Sequence, residues 1–592
     1  MKLSQEKQLK QLLKVSDKIL FAVSMLCTIG ILLHMGIGSR NVLSDYGFDL
    51  LTRGLFYGVA CFYLVVNLLT YKVRNMLSRY SDLILLSYFL LLLFVHLTRL
   101  SGGWLHFERV EWMYVGFFGL FLIQLSKTSL FFDDFYFNPT ILFVLSFLLL
   151  ILLGTMLIML PNATKDQSIS FIDALFTATS SVCITGLTVH DLATKFTQFG
   201  QLVILTLVQI GGLGVMTFTG FFGYFFSGGF SYKNQVMYTE IIGENKVGRV
   251  VKTLYKIIFI TFFFEAIGIV LIFFTVPSSA FNSLNEHIYF SVFHAISAFC
   301  NAGFSSVEQG IYNPLFRYNY NLHLVMAFLI ILGGLGFAIV LNTYVFIKRW
   351  VVNLYRRIRY RESIIYKPWV ISLTSRIILY TSGILLIGGT IIFALLESNH
   401  SLAEHSGTWG KLVSAFFWSV TARTAGFGNS DPLLMSHAAI LFFIFLMWVG
   451  ASPGSTGGGI KNTTFAIAIL NIIAIARGKE KVEIFRREIT SATNQQALAI
   501  IALSILVIGG SFFALNITDA QMDFTKLLFE VVSAFGTTGL SLGITPQLSE
   551  AGKIVIMMTM FIGRIGALTI LIAFIKNIDQ KPYNYPKDEI QL

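Results

Sequence analysis

One glycine-centred motif occurs four times in this chain, and it limits the fold more than any other feature. The copies run from Ser180 to Leu187, Ser297 to Phe304, Thr421 to Phe427 and Ser533 to Leu540. Their glycines, Gly186, Gly303, Gly426 and Gly539, lie 117, 123 and 113 residues apart. Each follows a phenylalanine by ten residues: Phe176, Phe293, Phe416 and Phe529. Four copies of a short polar glycine turn, each preceded by an amphipathic stretch, predict four copies of one re-entrant loop. Four such loops in one chain can surround a single axis. An ion filter needs that arrangement, because several backbone carbonyls must converge on one dehydrated cation.

The solvent around these loops is read from composition. Of 592 residues, 55% are hydrophobic and 12% charged, with a mean hydropathy of +0.73. Soluble chains carry roughly 25% charged residues, so this is a membrane composition. Apolar runs such as Ile141 to Leu160, Ile257 to Val276 and Ile554 to Ile575 are long enough to span, which takes about 20 residues. They are continuous rather than alternating, so they predict helices and not barrel strands. The expected fold is an all-α integral membrane protein. The basic polar start (Lys2, Lys7, Lys10, Lys14, Lys18) carries no cleavable signal pattern and reads as a cytoplasmic N-terminus. Cys27, Cys61, Cys183 and Cys300 show no CxxC spacing and indicate neither a metal site nor a disulfide framework.

Four apolar segments come first, near 19–38, 54–70, 83–97 and 113–126. They predict an N-terminal four-helix membrane domain over 1–130. Pore repeats follow at 139–226, 250–346, 370–476 and 495–576. Each reads as a first apolar helix, a polar loop, a short amphipathic helix, the glycine turn and a second apolar helix. The first helices are placed near 139–160, 254–276, 374–396 and 498–516. The second are placed near 200–226, 322–346, 434–475 and 553–576, with only the third interrupted. Charge orients the whole. Connections between repeats carry sixteen basic residues: Lys233, Lys246, Arg249 and Lys252, then Lys348, Arg349, Arg356, Arg357, Arg359, Arg361 and Lys367, then Arg477, Lys479, Lys481, Arg486 and Arg487. The loops between first helix and turn carry only Lys165, Lys411 and Lys526. The connections are therefore expected inside, the re-entrant loops enter from outside, and both termini are cytoplasmic. The same rule accounts for the formal charge of +12 without nucleic acid.

The candidate filter residues are Val182, Cys183, Ile184, Thr185 and Gly186; Cys300, Asn301, Ala302 and Gly303; Arg423, Thr424, Ala425 and Gly426; and Gly536, Thr537, Thr538 and Gly539. Glycine permits backbone conformations and close approaches that a Cβ forbids. A dehydrated cation is expected at the four glycines. A pore helix aiming its C-terminus at the axis adds a partial negative charge. The four phenylalanines are expected to pack those helices. A second glycine set, Gly211, Gly333, Gly450 and Gly563, follows the first by 25, 30, 24 and 24 residues and is expected to thin the second helices below the turns.

Arg564 stands midway between Lys553 and Lys576 in a spanning segment, too deep to snorkel. An arginine there costs about 2.5–3.5 kcal/mol or more, and such residues face cavities and serve functions. Beneath a cation filter it is a barrier or part of a gate; the alternative is burial against Glu265 or Glu530. The segment Gly450 to Gly459 holds five glycines and a proline in ten residues, so no helix continues through it. Ser452, Pro453, Gly454, Ser455, Thr456, Gly457, Gly458 and Gly459 form the rest of the candidate gate, a mobile loop under the filter. The glycine spacing imitates a phosphate-binding loop, but Ile460 stands where lysine belongs, and nucleotide binding is rejected. Arg423 breaks the neutral pattern of the turns and is read as a brace from behind. Asp173 and Glu530 either add negative potential or cap and face solvent.

These turns, the loop from Gly450 to Lys461 and the segment from Phe561 to Gly566 resemble the Trk/Ktr/HKT superfamily of potassium transporters, over roughly 139–576. The resemblance implies four helix–pore–helix repeats around one pore, within a homodimer. It implies filter glycines at Gly186, Gly303, Gly426 and Gly539, a gating loop at Ser452 to Gly459 and a gating arginine at Arg564. Glycine rather than serine at Gly186 implies potassium preference, with sodium as the other permeant ion. It implies a separate cytosolic RCK-type nucleotide-binding subunit, a plasma (inner) membrane location and no covalently bound cofactor. Ala567 stands where members often have proline, and the four N-terminal spans exceed the usual membrane subunit. Those spans superficially suggest a voltage sensor, but the fourth has no arginine ladder. Two other classes make different demands. An alternating-access exchanger predicts paired broken helices in two inverted halves, whereas the repeats here run in one direction. A membrane enzyme would need a metal cluster or nucleophile–base pair, and none is visible.

Overall fold

Each repeat is built from helices whose starts are written in the sequence. The computed structural model describes residues 2–37, 45–71, 76–98, 110–128, 139–214, 250–360, 372–405, 407–479 and 481–574. Basic residues Lys233, Lys246, Arg249, Arg361 and Lys367, and the stretches 215–226, 370–371 and 575–576 of the expected repeats, lie outside them. The first helices are Pro139–Ile158, Val250–Thr275, Leu373–Glu397 and Ser491–Thr518. The pore helices are Phe171–Val182, Leu284–Phe299, Gly407–Thr421 and Phe524–Gly536. Ser170, Ser283 and Asp523 cap three of these, each side chain accepting from a first-turn amide. The second helices begin at Gln198, Tyr320, His437 and Glu550, and each is capped the same way, by Thr197, Asn319, Ser436 and Ser549.

Those caps also tie the second helix to the end of the first. Ser436 donates from its amide to Glu397 Oε1 at 2.9 Å, and Ser549 donates to Asp519 Oδ1 at 2.8 Å. Asn319 donates to Thr275 O at 2.8 Å, and Thr197 donates from its amide to Ala163 O at 3.1 Å. A recurrent polar clasp therefore closes every repeat.

The second helices correct one expectation. Sequence reading interrupts only the third, yet the fold also ends or breaks helices at Gly214, Gly336 and Gly566, with φ of +80°, +86° and +95°. Each lies three residues after Gly211, Gly333 and Gly563, and the left-handed backbone there forbids a continuous helix. In repeat two the helices Tyr320–Leu335 and Ile339–Asn353 meet at 108°. Repeat three breaks after His437–Trp448 and resumes at Asn462–Ala476. Six described helices are long and apolar enough to cross a bilayer, and the bent pair makes a seventh; shorter apolar helices such as Gln198–Leu213 complete the repeats.

Phe176, Phe293 and Phe529 are buried, and Phe416 is partly buried against the core between repeats two and three. In lipid such contacts act by packing rather than by excluding water. The N-terminal helices Lys2–Ile37, Asp45–Thr70, Met76–Thr98 and Glu111–Thr128 enclose their own core of Phe56, Tyr63, Phe89 and Phe117. Asn162 Nδ2 donates to Met35 O at 2.9 Å and joins that bundle to repeat one.

Candidate ion pathway

The four turns share one backbone conformation. The glycines take φ of +87°, +71°, +77° and +85° at Gly186, Gly303, Gly426 and Gly539. Two residues earlier, Ile184, Asn301, Thr424 and Thr537 are also left-handed, at +56°, +58°, +70° and +50°. Left-handed backbone is costly for β-branched residues such as Ile184, Thr424 and Thr537. It is held by amides at the turn base: Thr185, Ala302 and Thr538 each donate to the carbonyl five residues back at 2.8 Å, and Ala425 donates to Thr421 O at 3.0 Å.

The turns close into a ring. A methyl on Gly186 would strike Ala302 O, one on Gly303 would stand 2.9 Å from Ala425 O, one on Gly426 would meet Thr538 O, and one on Gly539 would strike Thr185 O. The same methyls would stand 3.0–3.3 Å from the Cα of the next glycine. The contacts run from repeat one through two, three and four and back to one. Only glycine allows this approach, and it lays each of the carbonyls of Thr185, Ala302, Ala425 and Thr538 against the glycine of a neighbouring turn. The buried hydroxyls of Thr185 and Thr538 have no protein partner, which suits a site for a partly dehydrated cation.

Below the ring, Gly211, Gly333 and Gly563 pack against the pore-helix ends, where a Cβ would run into Val182 O, Phe299 O and Phe535 O. Gly450 differs and packs on Gly458 O of its own loop. That loop is stitched to repeats two and four. Ser452 and Thr456 donate from their amides to Gly334 O at 3.1 Å and Gly333 O at 3.3 Å. Gly458 N donates to Thr537 Oγ1 at 2.9 Å, and Gly459 N to Gly563 O at 3.2 Å. Lys461 Nζ donates to Gly457 O at 2.8 Å.

Arg564 reaches across this space. It donates to Thr456 O of the loop and, at 2.7 Å, to Gly211 O of repeat one. The carboxylates weighed as its partners are engaged elsewhere: Glu265 accepts from Gln209 Nε2 at 2.9 and 3.1 Å, and Glu530 accepts from Ser541 and Thr545. Arg423 points away from the ring and meets Ser382 of its own first helix through long contacts of 3.4 and 3.5 Å. Asp173 pairs with Lys553 at 2.7 Å and His190 at 3.3 Å. Sequence reasoning placed Gly211 as a packing glycine but not its carbonyl as an acceptor for Arg564, since a carbonyl leaves no mark on its residue type.

A family model described as TrkH, cation transport protein, matches residues 126–585. The chain belongs to this family. It is 35% identical to the potassium/sodium uptake protein NtpJ of Enterococcus hirae, over 77% of this chain and 97% of that protein. It is 36% identical to the Ktr system potassium uptake protein B of Bacillus subtilis, over 77% of this chain and 96% of that one. The crystal structure of the potassium transporter TrkH from Vibrio parahaemolyticus has the same fold, with a TM-score of 0.58, 16% identity, and coverage of 84% of this chain and 96% of that one. The protein is thus an all-α membrane-spanning member of a cation-transport family. Residues 1–125 lie outside the TrkH family match.

Proposed function

We propose that this TrkH-family chain takes up potassium across the plasma membrane through the ring of four glycine turns. One observation carries the reading: the four turns approach one another in closed cyclic order, with a carbonyl-bearing residue before each glycine. Potassium is coordinated at Gly186, Gly303, Gly426 and Gly539 by backbone oxygens that replace its water. The names of the relatives, one for potassium/sodium and one for potassium, support potassium as cargo, with sodium as the competing ion.

The units 139–226, 250–346, 370–476 and 495–576 each supply one wall, and 1–130 is an accessory membrane domain. The loop Ser452 to Gly459 and Arg564 form a closed gate. A guanidinium held under a cation site repels the ion, and its bonds to Thr456 O and Gly211 O span repeats three and one. Opening requires those bonds to break. Among the described residues, broken second helices recur in repeats two, three and four, and the repeats run in the same direction, which favours a shared axial path over the paired inverted halves of an exchanger. The working assembly is a homodimer with a separate cytosolic RCK-type subunit, with both termini cytoplasmic.

The test is cation uptake into liposomes containing the purified chain. Potassium entry well above sodium entry is expected. Equal entry of both, or none, overturns the reading.

A further inference from the structure

Glu530 sits in the pore helix of repeat four, nine residues before Gly539, and is fully buried. No described basic side chain forms an ion pair with it. Its Oε2 accepts from Ser541 Oγ at 2.8 Å, and its Oε1 accepts from Thr545 Oγ1. The two hydroxyls also meet each other at 3.0 Å, and Ser541 Oγ accepts from Gly543 N at 3.1 Å. The stretch leaving the fourth turn is thus fastened to the pore helix behind it.

Repeat two carries the same fastening with different chemistry. His294 stands nine residues before Gly303, and Ser305 two residues after it, the places of Glu530 and Ser541. His294 Nε2 and Ser305 Oγ are 2.8 Å apart. The other ring nitrogen, Nδ1, lies 2.9 Å from Phe290 O and must donate to it, which leaves Nε2 of the neutral ring to accept the serine proton. Repeats one and three lack a link at these two positions and tie the same stretch elsewhere, Asp173 with His190 Nε2 at 3.3 Å in repeat one, and Ser414 with Asn429 Oδ1 at 3.1 Å and Trp418 Nε1 with Ser430 Oγ at 2.8 Å in repeat three. Thr177 turns back to Asp173 O of its own helix at 2.8 Å, and repeat three has Phe417 and Gly428 at these positions. The ring runs in chain order, so turns two and four, which share this pair of positions, face each other across its axis.

We infer that Glu530, acting through Ser541 and Thr545, is a positioning residue that sets discrimination between potassium and sodium. His294 and Ser305 do the same on the opposite side. The inference rests on the reading of the ring as an ion filter. Selection by carbonyl oxygens requires a turn that does not relax onto the smaller ion. A buried carboxylate holding two hydroxyls resists that relaxation, because hydrogen bonds to an ionisable group in a low-dielectric site are strong and expensive to leave unmade.

The experiment uses the full chain in liposomes and reads the potassium-to-sodium flux ratio, with monodispersity as the folding check. Glu530→Ala should lower the ratio about tenfold, the change expected from one lost charge-assisted hydrogen bond. Glu530→Gln, which keeps an acceptor for Ser541, should recover most of it, a rescue that loss of packing alone would not explain. Ser541→Ala removes a single oxygen and carries the test if Glu530→Ala does not fold. An unchanged ratio in folded Glu530→Ala or Ser541→Ala overturns the inference. Gly539→Ala is measured beside them. If it alters the ratio and the other two do not, only the brace is refuted; if none of the three alters it, the filter reading itself fails.

Discussion

Arg564 of repeat four donates to the carbonyl of Thr456 in repeat three, directly beneath the ring of glycines. A second bond from the same guanidinium, to Gly211 O at 2.7 Å, reaches repeat one. One side chain therefore joins repeats three, four and one at the place proposed for the gate.

Replacing Arg564 with alanine should raise potassium flux on the order of tenfold, since each 1.4 kcal/mol removed from a barrier is tenfold in rate. The charge and both bonds disappear together. Flux into liposomes, corrected for the amount of folded protein, is the measurement. Unchanged or abolished flux in well-folded protein would count against the gate.

The loop should be as intolerant of bulk as the ring. A methyl on Gly458 would fall against Thr537 Oγ1 at 2.5 Å and Gly563 O at 3.1 Å. Gly458→Ala is therefore expected to displace the loop and raise resting flux. Gly454 is the control: its φ of +68° strains any substituent, but no atom lies within 4 Å of the added methyl. Gly454→Ala should cost stability while leaving closed-state leakage near that of the parent.

Filter glycines should show a stability cost as well as a loss of selectivity. Alanine at Gly303 must adopt a φ of +71° and approach Ala425 O at 2.9 Å. The strain alone is about 1–3 kcal/mol. Thermal unfolding in detergent, followed by tryptophan fluorescence, should show a lower midpoint for Gly303→Ala. An unshifted midpoint would mean that the ring relaxes without cost.

Acid sensitivity should come partly from His405, in the polar loop before the third pore helix. Burial first, and then the Arg317 guanidinium, push its imidazole down to about 4. In the unfolded chain it titrates at about 6.5. Between those values the unfolded chain takes up a proton that the folded chain refuses, so stability falls as pH drops from about 6.5 towards 4. Above that window both states are neutral and the effect vanishes. His405→Gln should flatten the decline in melting temperature over this range, and an identical slope would refute it.

The ring was legible because its constraint is steric and excludes any Cβ. A close backbone approach at φ near +80° admits only glycine, so Gly186, Gly303, Gly426 and Gly539 appear in the sequence four times at one offset from phenylalanine. The second left-handed position was not legible. Ile184, Asn301, Thr424 and Thr537 have no one side-chain chemistry common to all four, and their conformation is imposed by the amides around them. The helix breaks at Gly214, Gly336 and Gly566 were missed for a related reason: one glycine in an apolar run reads equally as a packing contact. Arg564 was conspicuous by its charge at mid-membrane. Its partners are backbone carbonyls, which no residue type announces, and the two carboxylates Glu265 and Glu530 are in bonds of their own.

The most direct measurement is anomalous diffraction from crystals of the protein grown in rubidium. The account predicts density on the ring axis, enclosed by the carbonyls of Thr185, Ala302, Ala425 and Thr538. Ordered rubidium elsewhere in the protein, with none inside the ring, would contradict it.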